Sequence, residues 1–506
     1  MLFNSYIFIC IFLPIALIGW YSLNHFKLYR LSGVFLCGMS LWFYAYFNVK
    51  YLLIIVSSIG INYLISYLIH LYDTRVKDNG NSSIVKRTML VCAVLVNLGI
   101  FFYFKYFDFF LENLNAITGS NFELRGILLP LGISFFTFQQ LSFVIDRCKG
   151  KANHYNFIDY ATFVTFFPQL IAGPIVLYDE MMPQFLNTEN RRINLSNIEA
   201  GIKLFVIGLG KKVLLADVLA KPVGFGFAIS EDLDMLAALA VMLLYAFEIY
   251  FDFSGYCDMA MGLAKLFNVD LPLNFNSPYK SITVKELWQR WHITLSRFFT
   301  TYVYIPLGGS RRGFRRMLIN ILIIFTLSGL WHGAAWTYVA WGVMNGILVI
   351  WDNLCIIGIK GQNYKKPCKI YLPKWIGWFA TFGFFLLSLC FFRSSSISEA
   401  LMMIRHIFSF TWNGKVFDVA FKLSAPEIYF LDEAFGLISQ MSVYYMHLVV
   451  MILVLIMCFY IISRPNSVEI AANKDKPVKS SILLAILFVW CFVSLSQVST
   501  FLYFNF

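Results

Sequence analysis

Charge is what this chain has least of. Asp, Glu, Lys and Arg make up 13% of its 506 residues, about half the roughly 25% of an ordinary soluble domain. So little charge cannot cover the surface of a water-soluble globule, which excludes a string of soluble domains and makes lipid the solvent. Acidic residues are the scarcer kind, 28 against 40 basic, for a net charge of +12. On a soluble protein that excess would point to nucleic acid. In a chain this apolar it reads as the Lys and Arg of cytoplasmic loops, and no nucleic-acid partner is expected. The ten cysteines are scattered, mostly in apolar runs, with no CxxC and no metal-ligand spacing, so they read as small buried hydrophobes and no metal is expected. A GxSxG nucleophile elbow is missing as well. The first residues, MLFNSYIFICIFLPIALIGWY, lack a basic n-region and a small-residue cleavage site and read as a first span rather than a cleaved signal peptide.

What the chain has instead is apolar length. Hydrophobic residues reach 59% and aromatics 18%, with 53 Phe. Runs near the roughly 20 residues that a spanning helix needs occupy 5–22, 31–47, 51–71, 88–110, 126–145, 158–177, 235–253, 317–333, 335–356, 375–392, 444–463 and 481–500. The pattern predicts an all-α polytopic transmembrane bundle of about 11–14 membrane segments, some re-entrant, forming one domain over 1–506 with its motifs between 120 and 345. Stretch 198–220 is amphipathic, carries Lys203, Lys211 and Lys212, and is expected in the interface. Stretch 281–306 holds Lys285, Glu286, Arg290, His292 and Arg297, too polar to face lipid. It should be buried, broken or re-entrant.

Basic loops at 25–30, 75–87, 147–151, 311–316, 360–369 and 464–479 set an orientation. They put both termini outside the cytoplasm, together with segment 394–443, where Glu427, Asp432 and Glu433 stand among aromatics and suit a lid or docking surface. Because 311–316 and 360–369 fall on the same side, the two runs between them must form a hairpin. Its turn lies near Leu330-Trp331-His332-Gly333, away from the cytoplasm.

Ionisable residues inside spans are costly and point to function. His332 is the first: an imidazole titrates near neutrality and can take a proton from a hydroxyl. The alternative is a histidine bonded between helices. Stretch 288–296, WQRWHITLS, is the second. There Arg290 offers a fork for phosphate or carboxylate and His292 a second acid/base or orienting group; interfacial anchoring is the alternative. The third is EIYFDFSGYCD at 248–258. Glu248 and Asp252 share a helix face, Ser254-Gly255-Tyr256 reads as a helix break, and the acids either serve the site or pair with the arginines of the second stretch. Candidate catalytic residues are His332 and His292; candidate substrate contacts are Arg290, Trp291, Trp331, Asn274 and Asp252.

Several long motifs then combine: FNSYIFI at 3–9, LPLGISFFTFQQLSFVID at 129–146, FFPQLIAGPI at 166–175, YFDFSGYCDMAMG at 250–262, LNFNSPY at 273–279, LWQRWHITLSRFFTTYVYIPLGGSRRG at 287–313 and LSGLWHGAAWTYVAWG at 327–342. The chain so marked resembles the membrane-bound O-acyltransferase family, nearest its bacterial alginate O-acetylation branch, with teichoic acid D-alanylation and peptidoglycan O-acetylation proteins as further relatives. The resemblance implies a ring of helices around a central funnel or tunnel, with His332 as the catalytic histidine and His292 as the second important polar position. It further implies acetyl-CoA or another acyl thioester as donor, an extracytoplasmic SGNH-type acyltransferase and polysaccharide synthesis machinery as partners, and residence in the bacterial inner membrane.

Overall fold

The computed structural model describes residues 1–75, 82–153, 156–360, 362, 367–423, 425–473, 477–497 and 501–502. Parts of the basic stretches 75–87, 360–369 and 464–479, and the end of the 481–500 run, lie outside these residues. The chain is an all-α polytopic membrane protein. Its helices are, in order, α1 (Leu13–His25), α2 (Tyr29–Ala45), α3 (Lys50–Arg75), α4 (Ser82–Lys105), α5 (Phe107–Thr118), α6 (Ile133–Cys148), α7 (Phe157–Thr165), α8 (Phe167–Leu170), α9 (Tyr178–Leu186), α10 (Leu195–Gly210), α11 (Asp217–Ala228) and α12 (Met235–Leu266). They continue with α13 (Val284–Arg290), α14 (Ile293–Phe299), α15 (Phe314–His332), α16 (Trp336–Leu354), α17 (Lys374–Arg393), α18 (Ile397–Ile407), α19 (Lys415–Phe421), α20 (Tyr429–Gly436), α21 (Gln440–Ser463), α22 (Ser467–Ala472) and α23 (Pro477–Val493). Two three-residue strands, β1 (Ile357–Ile359) and β2 (Ile370–Leu372), pair in parallel. Among the described residues, seven helical stretches are long and apolar enough to cross a membrane.

Seven is fewer than the number of apolar runs, because backbone constraints divide some of them. Run 158–177 breaks at Phe166, whose φ of −47° and ψ of 107° leave the helical region just before Pro168. The Gln169 side chain caps the break by donating to the Phe163 carbonyl at 2.8 Å, as a freed backbone group in an apolar interior requires. Run 126–145 becomes helical only at Ile133, after Gly132 turns at φ 72°. A side chain there would collide with the backbone of Leu170.

Contacts divide the chain into two compact units, one of Met1–Val206 with Tyr256–Leu273 and one of Ile207–Gly255 with Asn274–Phe506. The first is tied by buried amides. Asn62 on α3 and Asn97 on α4 exchange side-chain hydrogen bonds at 3.1 and 2.7 Å. Gln140 on α6 donates to Ser58 at 2.9 Å and accepts from Tyr160 at 3.1 Å. Such bonds join helices where neighbouring lipid offers no hydrophobic drive. In the second unit α15 and α16 form the expected hairpin. Gly329 and Gly342 bring the two backbones together, and a side chain at either would strike the opposite helix.

Stretch 198–220 departs from expectation. It is largely buried, with Lys203 6% and Lys212 1% exposed, rather than lying in the interface. The reason is electrostatic. A π-helical turn over Lys211–Ala216 turns Lys212 inward, onto Asp217 at 2.8 Å and Asp252 at 2.6 Å. The polar face of the amphipathic pattern thus meets carboxylates, not water. The backbone N–H of Leu502 donates to Asp252 at 2.9 Å, and the Phe501 ring lies 4.5 Å from the Lys212 ammonium. Ser254-Gly255-Tyr256 also departs: α12 runs unbroken through it for 32 residues. Gly255 serves close packing instead, since a Cβ there would sit 2.8 Å from the Gly208 carbonyl oxygen.

Removing one member of a buried ion cluster leaves the others uncompensated, at about 3–5 kcal/mol. Lys212→Met is therefore expected to destabilise the protein by about that much, read as a fall in the unfolding midpoint in detergent. The Lys212→Met/Asp252→Asn double variant should recover part of the loss.

Candidate active site

His332 is the last residue of α15, and the connection to α16 is only Gly333 to Ala335. A side chain at Gly333 would overlap the Tyr338 ring, so glycine there permits the tight hairpin end that aims the imidazole back into the unit. The imidazole is 3% exposed and ringed by aromatics. Its centroid lies 5.0 Å from Trp331, 5.2 Å from Phe392 at the end of α17, and 5.3 Å from Trp341 on α16. The second imidazole, His292, is 6.3 Å away. Two residues separated by 40 positions of mostly apolar sequence thus come together in one buried cluster of rings.

His292 sits where stretch 281–306 breaks. Helices α13 and α14 have seven residues each, and the break falls at Trp291-His292, where His292 adopts φ 45° and ψ 52°. Left-handed backbone is uncommon for a residue with a side chain and persists where surroundings impose it. Asn274 imposes it here. Its backbone carbonyl accepts from Ile293 N–H at 3.0 Å. Its Oδ1 accepts from Thr294 N–H at 3.2 Å, from Thr294 Oγ1 at 2.9 Å, and meets His292 Nδ1 at 3.1 Å. Because the Thr294 amide can only donate, the Asn274 atom is an acceptor, and His292 Nδ1 carries the hydrogen. The neutral ring therefore holds its lone pair on Nε2. The ring is 2% exposed and packs against Phe253 at 4.9 Å.

The remaining residues expected at the site divide. Trp331 adjoins both imidazoles, 5.0 Å from His332 and 5.9 Å from His292. Asn274 holds His292, as above. Trp291 packs with Phe275 at 5.1 Å, Phe385 at 5.3 Å and Tyr279 at 6.0 Å, and is joined to His292 through Phe275, whose ring lies 6.4 Å from that imidazole. Arg290 commits Nε to Glu286 at 3.0 Å, and one terminal nitrogen to the Asn276 carbonyl at 3.2 Å. Asp252 belongs to the Lys212 cluster, so its cation is a lysine and not an arginine of the WQRWHITLS stretch. Among the described residues no group of three His, Cys, Asp or Glu could hold a metal ion.

Two polar groups were missed in the sequence. Thr337 and Trp341 stand four residues apart on α16, hence on one face, and are 2% and 3% exposed. Thr337 Oγ1 and Trp341 Nε1 have no hydrogen-bond partner among the described residues. A buried donor left open next to an imidazole is a place for a substrate oxygen. The signal was their spacing after His332 in WHGAAWTYVAW, which turns α16 back on the end of α15.

The family model of the MBOAT, membrane-bound O-acyltransferase family, matches residues 134–396. The "Peptidoglycan O-acetyltransferase" of Helicobacter pylori is 37% identical over 535 aligned residues, covering 100% of this chain and 98% of that protein. The "Probable alginate O-acetylase AlgI" of Pseudomonas aeruginosa is 36% identical, over 81% of this chain and 76% of its own length. The "Teichoic acid D-alanyltransferase" of Streptococcus thermophilus is 28% identical, over 53% of this chain and 69% of its own. The last third, which carried little of the sequence resemblance, is thus within the full-length alignment to the Helicobacter protein.

The tautomer assignment is directly testable. Nitrogen chemical shifts of isotopically labelled histidine should show His292 protonated on Nδ1 in the wild-type protein. In Asn274→Leu the signal should move to the Nε2-protonated form or a mixture, because the acceptor for Nδ1–H is gone. An unchanged His292 signal in that variant contradicts the assignment.

Proposed function

The chain belongs to the membrane-bound O-acyltransferase family, and on that premise we propose that it carries an acetyl group from a cytoplasmic thioester, acetyl-CoA, to hydroxyls of a cell-envelope glycan. That it is an O-acyltransferase follows from the family and its named relatives. The observation that carries the finer reading is the pair of buried imidazoles 6.3 Å apart, one of them held by Asn274 in the tautomer that keeps its lone pair on Nε2.

The chemistry requires one base, one oxyanion donor and a dry site. In the proposed step His332 takes the proton of the acceptor hydroxyl as its oxygen attacks the thioester carbonyl carbon. The carbonyl electron pair moves onto oxygen, then returns as the carbon–sulfur bond breaks. The leaving thiolate receives the proton held by His332, so ester and free thiol are the products. His292, accepting through Nε2, orients the attacking hydroxyl. The indole N–H of Trp341 is an open donor beside His332 and suits the developing oxyanion; Arg290, with donors engaged by Glu286 and Asn276, suits it less. Exclusion of water by the aromatic ring protects the thioester from hydrolysis and strengthens each of these contacts. Exposed Arg311, Arg312, Arg315 and Arg316 would meet the phosphates of the donor from the cytoplasmic side.

Peptidoglycan is the favoured acceptor, because similarity to the Helicobacter peptidoglycan enzyme extends over the whole chain. An exopolysaccharide acceptor is the second reading, supported by the alginate relatives. In either reading the chain resides in the bacterial cytoplasmic membrane with both termini outside. An extracytoplasmic SGNH-type enzyme and the polysaccharide synthesis machinery are its proposed partners.

His332→Ala is expected to reduce glycan-bound acetate to the background of a deletion strain while the chain accumulates normally. Trp341→Phe, keeping the ring but losing the donor, should lower turnover about 10²-fold. Base-released acetate from purified envelope glycan reads both. Wild-type acetylation in His332→Ala would overturn the assignment.

A further inference from the structure

The two imidazoles of the site stand on different elements. His332 ends α15 and is held by the α15–α16 hairpin, whereas His292 lies two residues past the end of α13. Their separation is therefore set by whatever fixes α13 against α16. At the start of α13, the Lys285 backbone N–H donates to Asp352 Oδ2 at 2.8 Å, and the Lys285 ammonium donates to Asn353 Oδ1 at 3.3 Å. Three residues on, the indole N–H of Trp288 donates to Asn345 Oδ1 at 3.2 Å. Asn345 and Asp352 stand seven residues apart on α16, hence on one face.

Asn345 is 0% exposed. Asn is a costly choice inside an apolar helix, because its amide competes with the backbone for hydrogen bonds. Once buried, both ends of the amide need partners. Both have them here, since Nδ2 donates to the Trp341 carbonyl at 2.8 Å. The orientation of the amide is unambiguous: an indole nitrogen only donates and a carbonyl only accepts. What the amide supplies, and an apolar side chain would not, is a fixed place for the Trp288 indole.

That indole joins α13 to the hairpin. Its ring is edge-on to Trp341 at 5.4 Å and 82°, and to Phe325 of α15 at 5.5 Å and 72°. Trp341 in turn stands edge-on to His332 at 5.3 Å and 88°. Such pairs depend on ring plane as well as distance, so a turn of Trp288 is felt by Trp341, whose N–H is the open donor beside His332. Trp288 also lies four residues before His292, and its carbonyl accepts from Ser296 Oγ of α14 at 3.4 Å, across the break at His292. One bond from Asn345 thus bears on both halves of the site, on Trp341 through ring contact and on His292 through α13.

We propose that Asn345 is a positioning residue for acyl transfer: by holding Trp288 it sets the place of the His292 imidazole relative to the His332–Trp341 pair. The inference rests on the acyl-transfer reading of the site. Asn345 acts through Trp288 and takes no part in the bond making and breaking.

Steady-state thiol release from acetyl-CoA by the full-length protein in nanodiscs, with a soluble muropeptide as acceptor, tests this together with the unfolding midpoint. Asn345→Leu should lower kcat by about 10- to 10²-fold, the loss that follows a misplacement near 1 Å, with KM for acetyl-CoA within about twofold of wild type. Trp288→Phe keeps a ring and removes the donor, and should lower kcat to the same level; it carries the test alone if Asn345→Leu does not accumulate. The double variant should fall no further, because both changes break one bond. The midpoint separates positioning from stability. Asn345→Leu leaves the indole N–H without its acceptor and should lower the midpoint. The double variant, with both partners apolar, should recover most of that loss while kcat stays low. Lys285→Met removes a different α13–α16 bond and should keep the wild-type kcat. Wild-type kcat in Asn345→Leu, additive losses in the double variant, kcat that recovers with the midpoint, or an equal loss in Lys285→Met would each overturn the proposal. His332→Gln in the same assay keeps the two claims apart. If it is inactive and Asn345→Leu is fully active, the positioning role alone is lost; if it is fully active, acyl transfer at His332 is lost and the positioning role with it.

Discussion

The hydrogen bond from His292 Nδ1 to Asn274 Oδ1 governs most of what the site can do. Within an aromatic pocket an imidazole has no water to bond, and an unpaired ring nitrogen there costs on the order of 1–3 kcal/mol. Asn274 answers that need and takes the Thr294 amide and hydroxyl on the same oxygen. Those bonds hold the chain in its left-handed turn at His292, and so place the break between α13 and α14 where it is. The same bonds fix the tautomer, which leaves Nε2 as the acceptor. Backbone strain, helix break and protonation state are thus one fact seen at three levels.

Several buried polar groups elsewhere follow the same rule, that polar groups in a lipid-solvated chain are paired from within. Asn62 and Asn97 satisfy each other across two helices. Gln169 satisfies the carbonyl freed at the Phe166 break. Lys212, among the most deeply buried cations, is held by two carboxylates, one of which also receives the Leu502 amide. Pairing of this kind restricts how helices can meet, and it leaves the atoms that are not paired conspicuous. Trp341 Nε1, on the indole 5.3 Å from the His332 ring, is such an atom.

Much of this was legible in the sequence, for reasons that differ by element. Apolar length gave the all-α membrane class, and the loop charges around 317–356 required the α15–α16 hairpin that the structure contains. The polar content of 281–306 called for a broken segment, and the break is there. What failed was reading faces. The amphipathic pattern of 198–220 was compatible with an interface or with a buried ion cluster, and only the position of Asp252, forty residues on, decides. Ser254-Gly255-Tyr256 has the composition of a break, yet glycine inside α12 answers a close approach by Gly208, a tertiary demand that local sequence does not record. The meeting of His292 and His332 was carried by motif resemblance alone, since no periodicity spans the 40 residues between them. Thr337 and Trp341, a hydroxyl and an indole in an apolar helix, have the composition of core, and only the absence of hydrogen-bond partners among the described residues marks them.

The central claim is that the paired imidazoles carry acyl transfer from a thioester. The most direct measurement is single-turnover release of free thiol from acetyl-CoA by the purified protein in nanodiscs, with a soluble muropeptide or oligosaccharide as acceptor. Wild type should release thiol in step with ester formation. His332→Gln, similar in size and still able to hydrogen-bond but unable to act as base, should lose at least about 10²-fold in rate with donor binding retained. Thiol release by His332→Gln at the wild-type rate would contradict the account.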